Sequence, residues 1–155
     1  MQTREWRFKE RFNFQGSGPW DDEPDKKQWT DEATGLPCLI VRGPVGALCG
    51  YVGLPPSHPC FRADYNTPEV TVHGGLTFGG FCAEEDQEHT VCHIVDEGEE
   101  DRVFWMGFDC AHSGDLTPTS PTSPWKDVYH YKYRDFHYVE NEVRQLAAQL
   151  AAIAG

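Results

Sequence analysis

The sequence contains no long hydrophobic run. No segment approaches the roughly twenty consecutive apolar residues that cross a bilayer. No apolar stretch follows Met1 in the way that a secretion signal requires. We therefore expect a protein that neither spans a membrane nor is exported, and predict that it is cytoplasmic.

Basic residues are scarce relative to acidic ones. The chain has 13 Lys and Arg against 25 Asp and Glu, which gives a formal net charge of −12. A negative mean field of this size repels a phosphate backbone. The composition argues against direct binding of nucleic acid, and it is compatible with an acidic protein that inhibits a partner by imitating the charge of a nucleic acid.

The cysteines include no C-x-x-C pair of the kind that marks zinc modules or redox motifs. A chain of 155 residues is also large enough to fold without disulfide bonds. We expect reduced thiols, mostly buried as small hydrophobic side chains: Cys38, Cys49, Cys60, Cys82, Cys92 and Cys110.

The length and the aromatic content are those of a folded domain. Aromatic residues make up 13% of the chain, more than disordered sequences carry. The length matches the commonest size of a single domain. We predict one domain over residues 1–155.

Short apolar runs predict the strands of a sheet. Two of them, 37–42 and 47–52, are separated by the turn sequence Gly-Pro-Val-Gly and predict a hairpin. Residues 70–73, 90–95 and 103–108 are the further strand candidates.

The end of the chain predicts a helix. From Phe136 onward, apolar residues recur at spacings of three and four, and Asp135 precedes them as a candidate N-cap. Together the patterns predict an α+β fold, in which an antiparallel sheet of about five strands carries the C-terminal helix on one face.

Chemically versatile residues follow two of the predicted strands. His73 is followed by Gly74 and Gly75, which allow close backbone approach or positive φ, and Thr77 lies just beyond. The loop from Asp109 to Asp115 holds the second group, whose candidate site residues are Asp109, Cys110, His112 and Asp115.

Three functional hypotheses fit these residues. In the first, His73, Cys110 and His112, with Asp115 or a residue of the Cys92-His93 pair, ligate zinc, although the spacing differs from that of zinc fingers. In the second, Cys110 is a nucleophile that His73 or His93 activates.

In the third hypothesis, the residues bind a small polar, nucleotide-like ligand. His73, His112, Asp109 and Asp115 would hydrogen-bond it, and Trp20, Trp29 or Trp105 would stack on its ring. The backbone amides of Gly74 and Gly75 would donate hydrogen bonds to a phosphate.

A purely structural alternative also stands beside these hypotheses. Buried thiols pack as small hydrophobic groups, and aspartates in loops cap turns. Trp105, inside an apolar strand, is expected in the core.

Four strings carry a family resemblance: GPWDDEPDK at 18–26, QWTDEATGLPC at 28–38, HGGLTF at 73–78 and GFDCAH at 107–112. They resemble a widespread family of uncharacterised phage and prophage proteins. The resemblance implies an accessory protein in the host bacterial cytoplasm that counters a bacterial defence by sequestering or hydrolysing a nucleotide signal. In that setting, the acidic inhibitor would bind a host protein. If the protein is an enzyme, we expect a hydrolase in which His73 and His112 act as acid, base or metal ligands.

Overall fold

A computed structural model describes residues 1–8, 14, 16–82, 90–99, 102–119 and 131–153. Six strands form one sheet, and the helix α1 (Phe136–Ala151) follows them. The predicted α+β class is confirmed, with six strands where about five were expected. The strands are β1 (Arg4–Trp6), β2 (Lys26–Thr30), β3 (Pro37–Arg42), β4 (Leu48–Leu54), β5 (Phe78–Gly80) and β6 (Phe104–Asp109).

The sheet is antiparallel throughout, in the order β1-β2-β3-β4-β6-β5. The predicted hairpin is confirmed as β3 and β4. Its turn closes through the amide of Gly43, which donates to the carbonyl of Ala47 at 2.8 Å. Gly46 occupies the turn with φ +82°, a conformation that glycine adopts without steric cost.

Alternating residues along the strands build two hydrophobic clusters. Ile40 and Phe108 point toward α1 and pack with the buried face of the helix. Leu39 and Trp105 point to the opposite side and form the second cluster. This period of two is the geometry of a strand that is buried on both faces. Trp105, fully buried, is the core residue that the sequence predicted.

The helix α1 begins as the sequence predicts. Asp135 is its N-cap, and its carboxylate accepts from the amide of Tyr138 at 2.8 Å. Val143 and Leu146, which share the apolar stripe, are completely buried against the sheet. Among the described residues, no helix is long and apolar enough to cross a membrane.

Residues 70–73 do not form the strand that their alternation predicts. Their backbone bonds to side chains of α1 instead of to a neighbouring strand. The Gln149 amide bonds both the N–H and the carbonyl of Thr71, at 2.7 and 2.8 Å, and Glu142 accepts from the amide of His73 at 2.9 Å. Because backbone groups of the segment are satisfied in this way, it lies outside the sheet without a partner strand.

The strand predicted at 90–95 is also wrong. Gln28, on β2, bonds both backbone groups of Ile94, at 2.8 and 3.0 Å. Lys26 donates to the carbonyl of Thr90 at 3.2 Å. Side chains of β2 thus replace the strand that would have paired there.

The expectation of reduced thiols is wrong for one pair. Cys82 and Cys92 form a disulfide that links the end of β5 to the segment before His93. The cysteines that the structure describes as free are Cys38, Cys49, Cys60 and Cys110, of which three are buried and Cys49 is half-buried.

Candidate functional site

Three segments distant in sequence meet at one edge of the sheet: the turn at His73, the loop after β6 and the start of α1. The rings of His73 and His112 lie 6.3 Å apart, centroid to centroid. We call this group the histidine cluster, and define it as His73, Asp109, His112, Asp115, Arg134 and Tyr138.

The imidazole of His73 is held from both sides. Its Nδ1 lies 2.8 Å from the hydroxyl of Tyr138. Its Nε2 lies 2.9 Å from the carboxylate of Asp115. A carboxylate can only accept, so Nε2 of His73 carries the proton that it donates to Asp115.

Asp115 lies at the centre of the cluster. Its carboxylate is 7% exposed and also accepts from the backbone amide of His112 at 3.0 Å and from Nε of Arg134 at 2.9 Å. A buried carboxylate needs such partners, because charge is costly to remove from water. The bond to Asp115 is the main cause that raises the pKa of Arg134, so the guanidinium stays charged.

Gly74 brings the backbone against His112. A Cβ at Gly74 would lie 2.5 Å from the Nε2 atom of His112, so a side chain has no room there. The same packing buries Nε2, which has no hydrogen-bond partner within the described part of the chain. The atom lies 3.3 Å from Asp109, an ion-pair distance without the angle of a hydrogen bond. A ligand would therefore meet His112 on the other side of its ring.

Asp109 and Thr77 form the outer edge of the cluster. The hydroxyl of Thr77 donates to Asp109 at 3.0 Å, and the other carboxylate oxygen accepts from the amide of Ala111 at 3.0 Å. The amide of Gly75 is already bonded to the carbonyl of Val72 at 2.9 Å. The prediction that this amide donates to a phosphate is therefore corrected.

Cys110 is a packing residue. Its side chain lies in the hydrophobic core at 2% exposure. Burial, assisted by the nearby carboxylate of Asp115, raises the pKa of its thiol well above the usual range. Since the thiolate is the nucleophilic form, the geometry does not support the nucleophile hypothesis.

The described residues do not assemble into a set of zinc ligands. Among the described residues, no group of three or more His, Cys, Asp and Glu side chains is placed to hold a metal ion. Both nitrogens of His73 bond to protein groups, and Cys110 is in the core.

The two tryptophans predicted to stack on a ligand are buried away from the cluster. Trp20 and Trp29 are each 4% exposed. Trp20 packs edge-on against Tyr133 at 5.0 Å, and Trp29 belongs to the core beneath α1. The structure corrects this prediction, because a buried ring offers no face to a ligand.

The first motif, GPWDDEPDK, has a structural role in this fold. Asp25 accepts from Nε of Arg42 at 2.8 Å, and Glu23 accepts from Nη2 at 3.2 Å. All three residues are buried. The acidic loop thus supplies the counter-charges that allow a guanidinium inside the sheet.

A cavity of about 210 Å³ lies elsewhere in the molecule. His93, a candidate in the zinc and nucleophile hypotheses, lines this cavity together with Glu99 and Val103, and no residue of the histidine cluster is among the lining residues. The histidine cluster is therefore a surface site and not part of this cavity.

Sequence reasoning missed Arg134 and Tyr138. The helix carries Tyr138 and Glu142 four residues apart, on one face. A polar pair at this spacing beside an apolar stripe is the signal that was available. Arg134, just before the N-cap, had no signal in the sequence.

The fold and the site define an α+β domain with a six-stranded antiparallel sheet and a surface cluster of two histidines at its edge. Comparisons with protein-family models, with curated proteins and with solved structures found no match to this chain.

Proposed function

We propose that the protein binds a small polar ligand at the histidine cluster. The observation that carries the proposal is a convergence at Asp115, whose buried carboxylate contacts the His73 imidazole and the Arg134 guanidinium. The Tyr138 hydroxyl and the His112 ring lie beside His73. Groups of this kind orient a ligand by hydrogen bonds and charge. Residues from three separate segments supply them, so the arrangement depends on the tertiary fold.

Hydrolysis of the ligand is a second proposal, and one specific observation favours it. Asp115, His73 and Tyr138 form a hydrogen-bonded chain, in which a carboxylate orients an imidazole and the imidazole contacts a hydroxyl. General acid–base catalysis uses such chains to move a proton to or from a reacting group. Tyr138, and not His73, would then meet the ligand, because both nitrogens of His73 are engaged.

Nuclear magnetic resonance of the imidazole groups tests the binding proposal. We expect the ring signals of His73 and His112 to shift in a saturable way when adenosine 5′-monophosphate (AMP) is added to the full chain. The signal of His137, which is exposed on the same helix, serves as the control and should stay in place. If AMP, adenosine and inorganic phosphate all leave His73 and His112 unchanged, the proposal is wrong.

The same samples test hydrolysis. The phosphorus spectrum of AMP should show release of inorganic phosphate over time, and the Tyr138→Phe variant should slow that release at least tenfold while binding remains. Release that is equal in the wild type and in the variant would contradict a role for Tyr138.

The biological setting is a proposal that rests on the family resemblance. An accessory phage protein that sequesters or hydrolyses a nucleotide signal would act in the host cytoplasm. The Cys82–Cys92 disulfide argues against a cytoplasmic location, since disulfides are rare in a reducing cytosol. The redox state of this pair inside bacterial cells is the measurement that decides the point.

An acidic inhibitor of a host protein remains a separate proposal. The net charge of −12 supports it. Against it, four carboxylates are turned inward and cannot contribute to an acidic surface: Glu23, Asp25, Asp31 and Asp115. Cross-linking in host cells, followed by identification of a stoichiometric protein partner, would support the inhibitor over the binding site.

A further inference from the structure

We propose that the ligand of the histidine cluster carries a phosphate-type anionic group, and that Arg134 is the residue that binds this group. The inference rests on the proposed binding function and adds to it the charge class of the ligand and the residue that selects it.

Arg134 makes a hydrogen bond to the described residues through only one of its three side-chain nitrogens. Its Nε donates to Asp115 at 2.9 Å, and its guanidinium carbon lies 5.1 Å from the centre of the Tyr138 ring. Its two terminal nitrogens make no hydrogen bond to any described residue, and its side chain is 25% exposed. These terminal N–H groups are the ones that a guanidinium offers to a phosphate in a paired contact.

Arg42 shows how a purely structural arginine is treated in the same fold. All three of its nitrogens have partners, which include Asp25, Glu23 and the carbonyl of Gly46. Its side chain is fully buried. Arg134 differs in both respects, because it keeps two nitrogens and a quarter of its surface toward solvent.

The contacts of Arg134 also fix it in place. The bond to Asp115 and the stacking over Tyr138 restrain the guanidinium before any ligand arrives. A restrained group loses less entropy on binding, so a given contact contributes more affinity.

Other charged residues near Arg134 affect how strongly an anionic ligand is attracted to it. Lys132 is exposed, and its backbone forms an isolated parallel β-bridge with Asp115. Asp115, Asp109 and Glu142 oppose an anion, but each already accepts hydrogen bonds from the protein. Within the cluster, Arg134 is therefore the oriented cation that an anion would meet.

Calorimetric titration of the full chain with AMP and with adenosine tests the inference. The two probes differ only in the phosphate. We expect AMP to bind at least about tenfold more tightly than adenosine, the effect of a charge-assisted contact. Arg134→Gln should abolish that difference. Arg144→Gln removes the same charge from the exposed surface of α1 and should preserve it.

Two outcomes would overturn the inference: equal affinity of AMP and adenosine for the wild type, or equal AMP affinity of the two variants. Adenosine binding without an AMP advantage would leave the proposed function standing, whereas no binding of either probe or of inorganic phosphate would overturn both. The comparison of the two probes needs no variant, so it decides the matter even where Arg134→Gln does not fold.

Discussion

Gly74 packs against the imidazole of His112 so closely that a Cβ on Gly74 would lie 2.4 Å from the ring atom Cδ2. Gly74 also has φ +68°, in the left-handed region that favours glycine. This contact joins the turn after residues 70–73 to the loop after β6, and so determines where the two histidines of the cluster lie.

Gly74→Ala should therefore destabilise the protein and displace His112. We expect a loss of about 2–4 kcal/mol in the free energy of unfolding, the sum of backbone strain and a steric clash. Gly75→Ala is the matched control, because Gly75 has φ +80° but open space around it. It should lose only about 1–2 kcal/mol. Urea unfolding measures both, and equal losses would contradict the packing role.

Arg42→Met should be strongly destabilising. The substitution leaves Asp25 and Glu23 buried without their counter-charge, which typically costs about 3–5 kcal/mol. Arg144→Met, which removes an exposed ion pair with Glu140, should cost less than about 1 kcal/mol. Thermal and urea unfolding of the two variants would show the difference, and similar stabilities would argue against a tightly coupled buried network.

Alkaline pH should destabilise the protein through its buried thiols. Burial raises the pKa of Cys38 from 9.0 to about 12. Between these values the unfolded chain loses the thiol proton and the folded chain keeps it, so the free energy of unfolding falls as pH rises from 9 to 12. The slope from one thiol is up to about 1.4 kcal/mol per pH unit.

The Cys38→Ala variant isolates this effect. Its unfolding free energy, measured by urea at several values above pH 9, should fall less steeply than that of the wild type. Below pH 9 the two proteins should differ by a constant amount, which reflects only lost packing. Identical slopes above pH 9 would mean that the Cys38 thiol is not shielded from solvent.

The Cys82–Cys92 disulfide should appear in the thiol count of the purified protein. After denaturation without reductant, four of the six cysteines should react with an alkylating agent, and all six after reduction. Reduction should lower the unfolding free energy by about 2–3 kcal/mol, the value for a loop of this length. A variant with both cysteines changed to serine should not respond to reductant.

Local patterns in the sequence predicted the elements whose partners are close along the chain. The β3–β4 hairpin depends on its own turn, and α1 depends on its apolar spacing and the Asp135 cap. Residues 70–73 have the alternation that is typical of a strand. In the structure, however, the side-chain amide of Gln149 bonds the N–H and the carbonyl of Thr71. The sequence of the segment alone does not show which side chain or strand will bond its backbone.

The sequence likewise predicted only some of the residues of the candidate site. The ends of two predicted strands pointed to the turn at His73 and the loop at 109–115. Only the loop at 109–115 follows a strand of the structure. The sequence could not assign Tyr138, which meets His73 across 65 positions. It also could not show whether Trp20 is buried in the fold or exposed for stacking on a ligand, because the residue type is the same in both cases.

The sequence by itself determined the α+β class, the hairpin, the helix with its cap and the position of the histidine turn, because hydrophobic period and turn chemistry act over a few residues. Only the tertiary structure decided which polar groups surround Asp115, which cysteines pair, and that the two terminal nitrogens of Arg134 make no hydrogen bond to the described residues. The surroundings of Asp115 and the placement of Arg134 depend on contacts between segments that are distant in the chain, which a local pattern of residues does not contain.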